Sequence, residues 1–125
     1  MSRSKNPPIR ILLVDDDDLA LSAYRRILIR EFEVTCAESA EEGLATLSSS
    51  RFDAVFSDYL MPGPDGLWLM QQLRSLYPGI VRVLISGGTV PDLQTHLDTG
   101  LVQYFFAKPL VLSSVRKCLK QAGIL

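Results

Sequence analysis

Five short apolar runs recur along this 125-residue chain, and a segment with the periodicity of an amphipathic helix follows each of them. Strands that alternate with helices need right-handed crossover connections, which favour a mostly parallel sheet with helices on both faces. The sequence therefore predicts an α/β fold with a doubly wound, five-stranded parallel sheet and five helices. We expect the strands at residues 9–14, 32–37, 52–57, 80–85 and 102–107, and the helices at about 17–30, 39–48, 67–76, 91–98 and 110–121.

Local signals support the helix assignments. Asp17 or Asp18 can cap the first helix, and Ser39 with Glu42 three residues later forms the capping-box pattern at the second. Pro91 suits the first turn of the short fourth helix, because its fixed φ matches the helix and its missing N–H is not needed there. The apolar positions of the first helix repeat at helical spacing: Leu19, Ala23, Ile27 and Ile29.

Charged or hydroxylic residues follow four of the five predicted strands. Asp15 and Asp16 follow the first strand, Asp58 the third, Ser86 the fourth and Lys108 the fifth, whereas the second strand contributes no such residue and is expected at an edge. Parallel strands end at the same edge of a sheet, where doubly wound proteins bind their ligands. The sequence therefore predicts that these side chains meet at one site.

The chemistry of such a cluster indicates a metal and phosphoryl site. Two carboxylates about 4 Å apart repel by about 4 kcal/mol at an effective dielectric of 20, so the cluster favours a cation. Oxygen ligands favour Mg²⁺ or Mn²⁺, and the sole histidine, His96, is expected away from the cluster, which argues against zinc. Lys108 and Ser86 can hold phosphoryl oxygens while Asp58 acts as a nucleophile that forms an acyl phosphate.

Composition excludes several other classes of protein. A net charge of −1 does not favour nucleic acid or anionic membranes, and two cysteines, Cys36 and Cys118, make neither a disulfide framework nor a metal cluster. Residues 1–8 lack the apolar segment of a signal peptide, and no run approaches the roughly 20 apolar residues of a membrane span. We expect a disordered tail at 1–8, a single domain at 9–125, and a cytoplasmic protein.

Four motifs occur in a fixed order along the chain: residues 13–16 (LVDD), 58–62 (DYLMP) with 65–67 (DGL), 84–87 (LISG) and 108–109 (KP). With these motifs the chain resembles the receiver domain of bacterial two-component response regulators, of the chemotaxis-regulator type. The resemblance covers about residues 9–122 and implies a flavodoxin-like (βα)5 sheet with strand order 2-1-3-4-5. It also implies that Asp58 accepts a phosphoryl group from a sensor histidine kinase or a phosphotransfer protein.

The resemblance assigns a role to each site residue. Asp16 and Asp58 are expected to bind Mg²⁺ directly, together with the backbone carbonyl of Leu60. Asp15 is expected to act through metal-bound water, and Lys108 to pair with the phosphoryl oxygens from a cis Lys108–Pro109 bond.

The resemblance also predicts how the switch works. Ser86 is expected to move toward the phosphoryl group, and an aromatic residue of strand 5, Phe105 or Tyr104, to occupy the space that it leaves. Leu60 and Gly88 carry no side chain that could position an attacking water, which predicts slow self-dephosphorylation.

Other readings remain open at this point. A haloacid-dehalogenase-like phosphatase also uses an aspartyl phosphate, a hydroxyl and a lysine, and a receiver-shaped binding module could work without phosphorylation.

If the protein is a receiver domain, we expect that it is not an enzyme, that its downstream target is unknown, and that it can form a homodimer through the last two helices and strand 5. We expect no output domain within this sequence, so the domain is expected to act alone or to be a fragment of a longer chain. Residues 67, 70 and 73–74 are expected to form the core face of the third helix, so Trp68 either points outward as an interface residue or packs on its own helix and loop.

Overall fold

The computed structural model describes residues 7–125, in which five strands and five helices alternate. The predicted strands and helices are present, with ends shifted by no more than two residues. The tail prediction for 1–8 falls largely on residues 1–6, which lie outside the described residues, while residues 7 and 8 have no regular structure. The strands are β1 (Arg10–Val14), β2 (Glu33–Ala37), β3 (Ala54–Asp58), β4 (Val81–Ser86) and β5 (Tyr104–Ala107). The helices are α1 (Asp18–Leu28), α2 (Ala40–Ser49), α3 (Gly66–Leu76), α4 (Leu93–Asp98) and α5 (Leu112–Gln121).

The sheet is parallel throughout, with strand order β2-β1-β3-β4-β5. Every residue of the central strands β3 and β4 is buried, as expected for strands covered on both faces. The register pairs Asp58 with Ile85 and Ser86 with Ala107, so the strands end at one common edge. The prediction of a doubly wound sheet in the order 2-1-3-4-5 is therefore confirmed.

Two apolar layers cover the sheet, one on each face. On one face, Ile11, Leu13 and Phe56 lie in a core cluster with the buried residues of α1 and α5. On the other face, Leu12 and Val55 lie in a second cluster with residues of α2 and α3. Successive strand residues point to opposite faces, so each strand contributes to both layers.

Caps and backbone conformation set the helix starts. A side-chain oxygen of Asp17, Ser39 and Asp65 accepts an N–H from the first turn of α1, α2 and α3 respectively. The prediction for Pro91 is wrong, because α4 begins two residues after it. Asp92 adopts a left-handed conformation with φ 55°, which a right-handed helix cannot include.

The first helix buries a different face from the one that its apolar repeat suggested. Leu19 is 81% exposed, and Ile27 and Ile29 are also exposed. The buried side chains of α1 are instead Leu21, Tyr24 and Leu28. Both faces of this helix carry apolar residues, so spacing alone does not tell which one packs on the sheet.

The third helix also departs from its predicted core face. Gly66, Leu69, Met70 and Leu73 are buried, whereas Leu67 is only half-buried. Trp68 is half-buried and packs against the second core cluster, so it does not project freely into solvent.

Both cysteines are free, with Cys118 buried and Cys36 half-buried. In residues 7–125, no helix combines the length and the hydrophobicity that a membrane crossing requires.

Candidate functional site

The carboxyl ends of β1 and β3 bring three carboxylates together. Asp15 directly follows β1 and is 3% exposed, while Asp58 ends β3 and is 8% exposed. Asp16, next to Asp15, is exposed. One carboxylate oxygen of each of the three lies within 4.8 Å of the others. The structure thus brings together residues that are 42 to 43 positions apart in sequence, as their places in the parallel sheet predicted.

Lys108 reaches into this cluster from the end of β5. Its Nζ lies 2.9 Å from Oδ2 of Asp15 and 3.2 Å from Oδ2 of Asp58. The Lys108–Pro109 peptide bond is cis, as the resemblance implied. One ammonium therefore bridges the two buried carboxylates.

The electrostatics of the site leave it short of positive charge. Burial raises the pKa of the Asp58 carboxyl, and the Asp15 charge raises it further, while Lys108 acts in the opposite direction. Burial alone would lower the pKa of Lys108, but hydrogen bonds to Asp15 and Asp58 and their negative charges raise it overall. Two buried carboxylates and the exposed Asp16 face one ammonium, which is an arrangement that favours an added cation.

The hydroxyl of Ser86, at the end of β4, is held by its own loop. Its Oγ donates to the carbonyl of Gly88 at 3.0 Å and accepts the N–H of Gly88 at 3.1 Å. Ser86 is 4% exposed. In this conformation both hydrogen bonds of the Ser86 hydroxyl are made within the loop between β4 and α4.

The two candidate switch aromatics lie on opposite faces of the sheet. Phe105 packs against the cluster that contains Leu84, and Tyr104 packs against the other cluster. Ser86 is two residues after Leu84 and therefore shares its face. Both aromatics are half-buried, but only Phe105 lies on the face of Ser86.

Gly66 is a site residue whose role sequence reasoning missed. Its N–H donates to the Tyr59 carbonyl at 2.8 Å, and a Cβ at this position would lie 2.3 Å from the carbonyl oxygen of Asp58. Real Cβ atoms do not approach backbone oxygen so closely, so only glycine lets α3 begin against the backbone of Asp58. The Asp-Gly pair indicated a turn, and the close approach depends on the tertiary structure.

Tyr24 lies beside the site, whereas Glu38 lies beside Asp18 at the start of α1. Burial raises the pKa of the Tyr24 phenol, and the charges of Lys108 and Asp15 act on it too. Glu38 follows β2, and repulsion from Asp18 raises its pKa. Glu38 is exposed, and the cluster of Asp15, Asp16 and Asp58 does not include it.

The remaining candidates contribute less. Leu60 lies in the loop after β3, with its side chain 67% exposed. His96 lies half-buried on α4. Within residues 7–125, the side chains that could together hold a metal ion are all aspartates, so His96 is not among them.

Comparison with known proteins identifies the family of the chain. The family model described as "Response regulator receiver domain" matches residues 11–120. The chain belongs to the response regulator receiver domain family. The family that the motifs suggested is thereby confirmed, and receiver domains are signalling switches rather than enzymes.

Two curated relatives and one solved structure illustrate the similarity. This receiver domain is 35% identical over 119 residues to response regulator MprA of Mycolicibacterium vanbaalenii, which covers 91% of the domain and 52% of MprA. It is 31% identical over 119 residues to the hydrogenase transcriptional regulatory protein HoxA of Cupriavidus necator, which covers 91% of the domain and 25% of HoxA. The receiver domain thus spans between a quarter and about half of these relatives.

Among solved structures, a CheY-like response regulator receiver domain protein from Methanospirillum hungatei matches with a TM-score of 0.84 and 25% identity. The match covers 94% of this receiver domain and 98% of that chain.

Proposed function

We propose that this receiver domain is a phosphoacceptor switch in which Asp58 takes a phosphoryl group from a sensor histidine kinase or a phosphotransfer protein. The observation that carries the proposal is the position of Lys108, whose Nζ bridges Asp15 and Asp58 at 2.9 and 3.2 Å. A lysine that only neutralised one acid would not need a second carboxylate within 3.2 Å of its ammonium.

The chain's own residues supply most of the chemistry. An Asp58 carboxylate oxygen attacks phosphorus, and the bond between phosphorus and the donor's imidazole nitrogen breaks. The bonding electron pair leaves with the imidazole, which takes a proton from solvent. Lys108, already within reach of Asp58, then neutralises a phosphoryl oxygen, while the largely buried position of Asp58 limits attack by water.

The three carboxylates fit a hard divalent cation, because they offer only oxygen atoms and carry more charge than Lys108 balances. Asp16 and Asp58 would hold Mg²⁺, or Mn²⁺ in its place, with the backbone carbonyl of Leu60, and Asp15 would act through water. When bound, the cation neutralises charge that develops on the transferred group.

The switch follows from competition for the Ser86 hydroxyl. In the present conformation Ser86 bonds to Gly88, so a phosphoryl oxygen on Asp58 offers it an alternative acceptor. Phe105, on the same sheet face, fills the space that Ser86 leaves. A shift from mostly off to mostly on needs about 5.5 kcal/mol of differential stabilisation, which several charge-assisted hydrogen bonds can supply.

The wider biological setting belongs to the same proposal. We place the domain, residues 9–125, in the cytoplasm, where it catalyses only its own phosphorylation and dephosphorylation. MprA and HoxA are regulators by name, so a downstream target or output domain is expected here too. Homodimerisation through α4, β5 and α5 is one form that the output can take.

Intact-mass analysis after incubation with acetyl phosphate and Mg²⁺ tests the proposal. Wild type should gain the mass of one phosphoryl group, Asp58→Asn should gain none, and the exposed-loop control Asp92→Asn should behave as wild type. Failure of wild type to gain the group, or labelling of Asp58→Asn, would contradict the proposal. Steady hydrolysis of a phosphomonoester would favour the phosphatase instead, although no acid follows Lys108 in the remaining 17 residues.

A further inference from the structure

Arg82 is a buried cation near the start of β4, where it is the second residue of the strand. The residue is 6% exposed. Its guanidinium donates to three backbone carbonyls: Nη2 to Gly100 at 2.8 Å, Nε to Leu101 at 2.9 Å and Nη1 to Pro78 at 3.5 Å. One side chain therefore ties β4 to the connections that precede it and that lead into β5.

No carboxylate balances this charge within residues 7–125, where the ion pairs involve other side chains. Burial lowers the pKa of Arg82, and the charge of Arg74 lowers it further. A buried charge without a counter-ion is costly, and the neighbouring strand positions hold apolar residues. We therefore attribute the burial of the guanidinium to its hydrogen bonds with these three carbonyls.

Two of the three carbonyls, those of Gly100 and Leu101, lie just beyond the end of α4, and the third, that of Pro78, lies between α3 and β4. Gly100 adopts a left-handed conformation with φ 78°, as is usual directly after a helix, and Leu101 is buried. The Arg82 backbone is held as well, because its N–H donates to the Gln103 side chain at 2.8 Å and its carbonyl accepts the Gln103 N–H at 3.1 Å. The C-terminal end of α4 is thus fastened to the sheet.

The N-terminal end of α4 is attached by apolar packing and by its preceding loop, without a buried cation. Val90 in that loop is buried and Leu93 packs against the second core cluster, while no side chain of α4 itself is fully buried. The preceding loop contains the exposed Gly87 and Gly88 and the left-handed Asp92, and Ser86 holds it through Gly88. If Ser86 releases Gly88, this end loses its hydrogen-bonded contact with the end of β4.

We propose that Arg82 is a positioning residue that fixes the C-terminal end of α4, so that the helix responds to an occupied Asp58 by moving at its N-terminal end. The response to Asp58 rests on the proposed function, whereas the fixing by Arg82 does not. Lysine cannot replace arginine here, because a single ammonium lacks the planar fork that reaches three carbonyls.

Hydrogen–deuterium exchange on the whole chain tests both parts. In the unliganded protein, Arg82→Lys should speed exchange of the amides at 99–102 about tenfold, the scale expected when one or two hydrogen bonds are lost. The matched control, Arg74→Lys on the exposed side of α3, should leave these amides unchanged. Adding beryllofluoride with Mg²⁺ to wild type should change exchange at 87–95 and leave 99–102 unchanged.

The outcomes separate this inference from the proposed function. Unchanged exchange at 99–102 in Arg82→Lys, or a beryllofluoride effect at 99–102 in wild type as large as at 87–95, overturns the role of Arg82. If Arg82→Lys does not fold, the comparison of wild type with and without beryllofluoride decides alone whether the C-terminal end of α4 is fixed. If beryllofluoride has no effect anywhere, the proposed function fails, and the unliganded comparison still decides whether Arg82 fixes α4. Acceptance of phosphoryl by Arg82→Lys should remain within about threefold of wild type, since Arg82 touches none of the reacting groups.

Discussion

At the scale of single residues, the site is held in an electrostatically unbalanced state. Asp15 and Asp58 share the ammonium of Lys108, and burial and Asp15 together raise the pKa of Asp58. The fold therefore keeps at its edge a charge that it would be more stable without. Such a site can release that repulsion by binding a cation or by carrying a modification.

Asp58→Asn should raise the free energy of unfolding at neutral pH by about 1 kcal/mol, because it removes one of two like charges that face each other. The raised pKa means that folded Asp58 binds its proton more tightly than the unfolded chain does. Stability should therefore fall as pH rises through that pKa. Lys108, whose pKa is raised, adds stability that is constant over this range and is lost only in strong alkali.

Urea unfolding of wild type and Asp58→Asn from acidic to neutral pH measures the difference between their free energies of unfolding. This difference should grow as the pH rises. A variant that is less stable than wild type at neutral pH would show that Lys108 outweighs the repulsion.

Gly66→Ala should destabilise the protein by about 2 kcal/mol or more, because the new Cβ collides with the carbonyl oxygen of Asp58. Gly43→Ala is the matched control, since its Cβ would meet side chains and no backbone atom: Val14 at 3.1 Å, and Leu12 and Leu69 at 3.8 Å. Thermal unfolding of the two variants compares the effects directly. Equal loss in both would mean that the close approach at Gly66 is relieved by small backbone shifts.

The acyl phosphate should survive for much longer than seconds after donor removal, because Leu60 and Gly88 cannot orient an attacking water. Leu60→Asn should speed hydrolysis about tenfold by adding a polar side chain two residues after Asp58. Leu76→Asn, the same change on the exposed end of α3, should have no effect. Decay of the phosphorylated mass with time measures all three rates, and a wild-type lifetime of seconds would refute the account of Leu60 and Gly88.

At the scale of elements, the sequence predicted position better than orientation. The apolar runs located each strand to within two residues, because a strand covered on both faces must be apolar throughout. Spacing could not show which face of α1 is buried, because Leu19 and Ile27 repeat as regularly as Leu21 and Leu28. Only the packing on the sheet distinguishes the two stripes.

A matched pair of substitutions tests the orientation of α1. Leu21→Ala should cost about 3 kcal/mol of unfolding free energy, because it leaves a cavity in the core. Leu19→Ala should change it by no more than about 0.5 kcal/mol, because the side chain is 81% exposed. Chemical denaturation of both variants measures these changes. Similar losses of unfolding free energy in the two would contradict the burial of the Leu21 face of α1.

At the scale of the whole molecule, the sequence predicted which residues meet because parallel strands share an edge. Asp15, Asp58 and Lys108 stand at strand ends, so their meeting needed only the strand order. The Ser86 hydroxyl, at the end of β4, bonds instead within its own loop. The contributions of Gly66 and Arg82 could not be predicted in this way. They depend on how α3 and the end of α4 pack against β3 and β4.

Magnesium should stabilise the whole fold, because binding to the native state alone shifts the unfolding equilibrium. At roughly 100 times Kd the gain is about 2.7 kcal/mol, and a chelator should remove it. Asp16→Asn should abolish most of the gain while changing the metal-free stability little, since Asp16 is exposed. Asp92→Asn should keep the full gain. Calorimetric melting with and without Mg²⁺ reports the difference, and an undiminished gain in Asp16→Asn would remove this residue from the metal site.

These converging groups should direct a phosphoryl group to Asp58 and to no other acid. Borohydride reduction of the phosphorylated protein converts an acyl-phosphate aspartate into homoserine, which peptide mass spectrometry locates. Homoserine is expected at position 58 alone. Homoserine at position 15 or 16, or none after full exposure to acetyl phosphate and Mg²⁺, would contradict it.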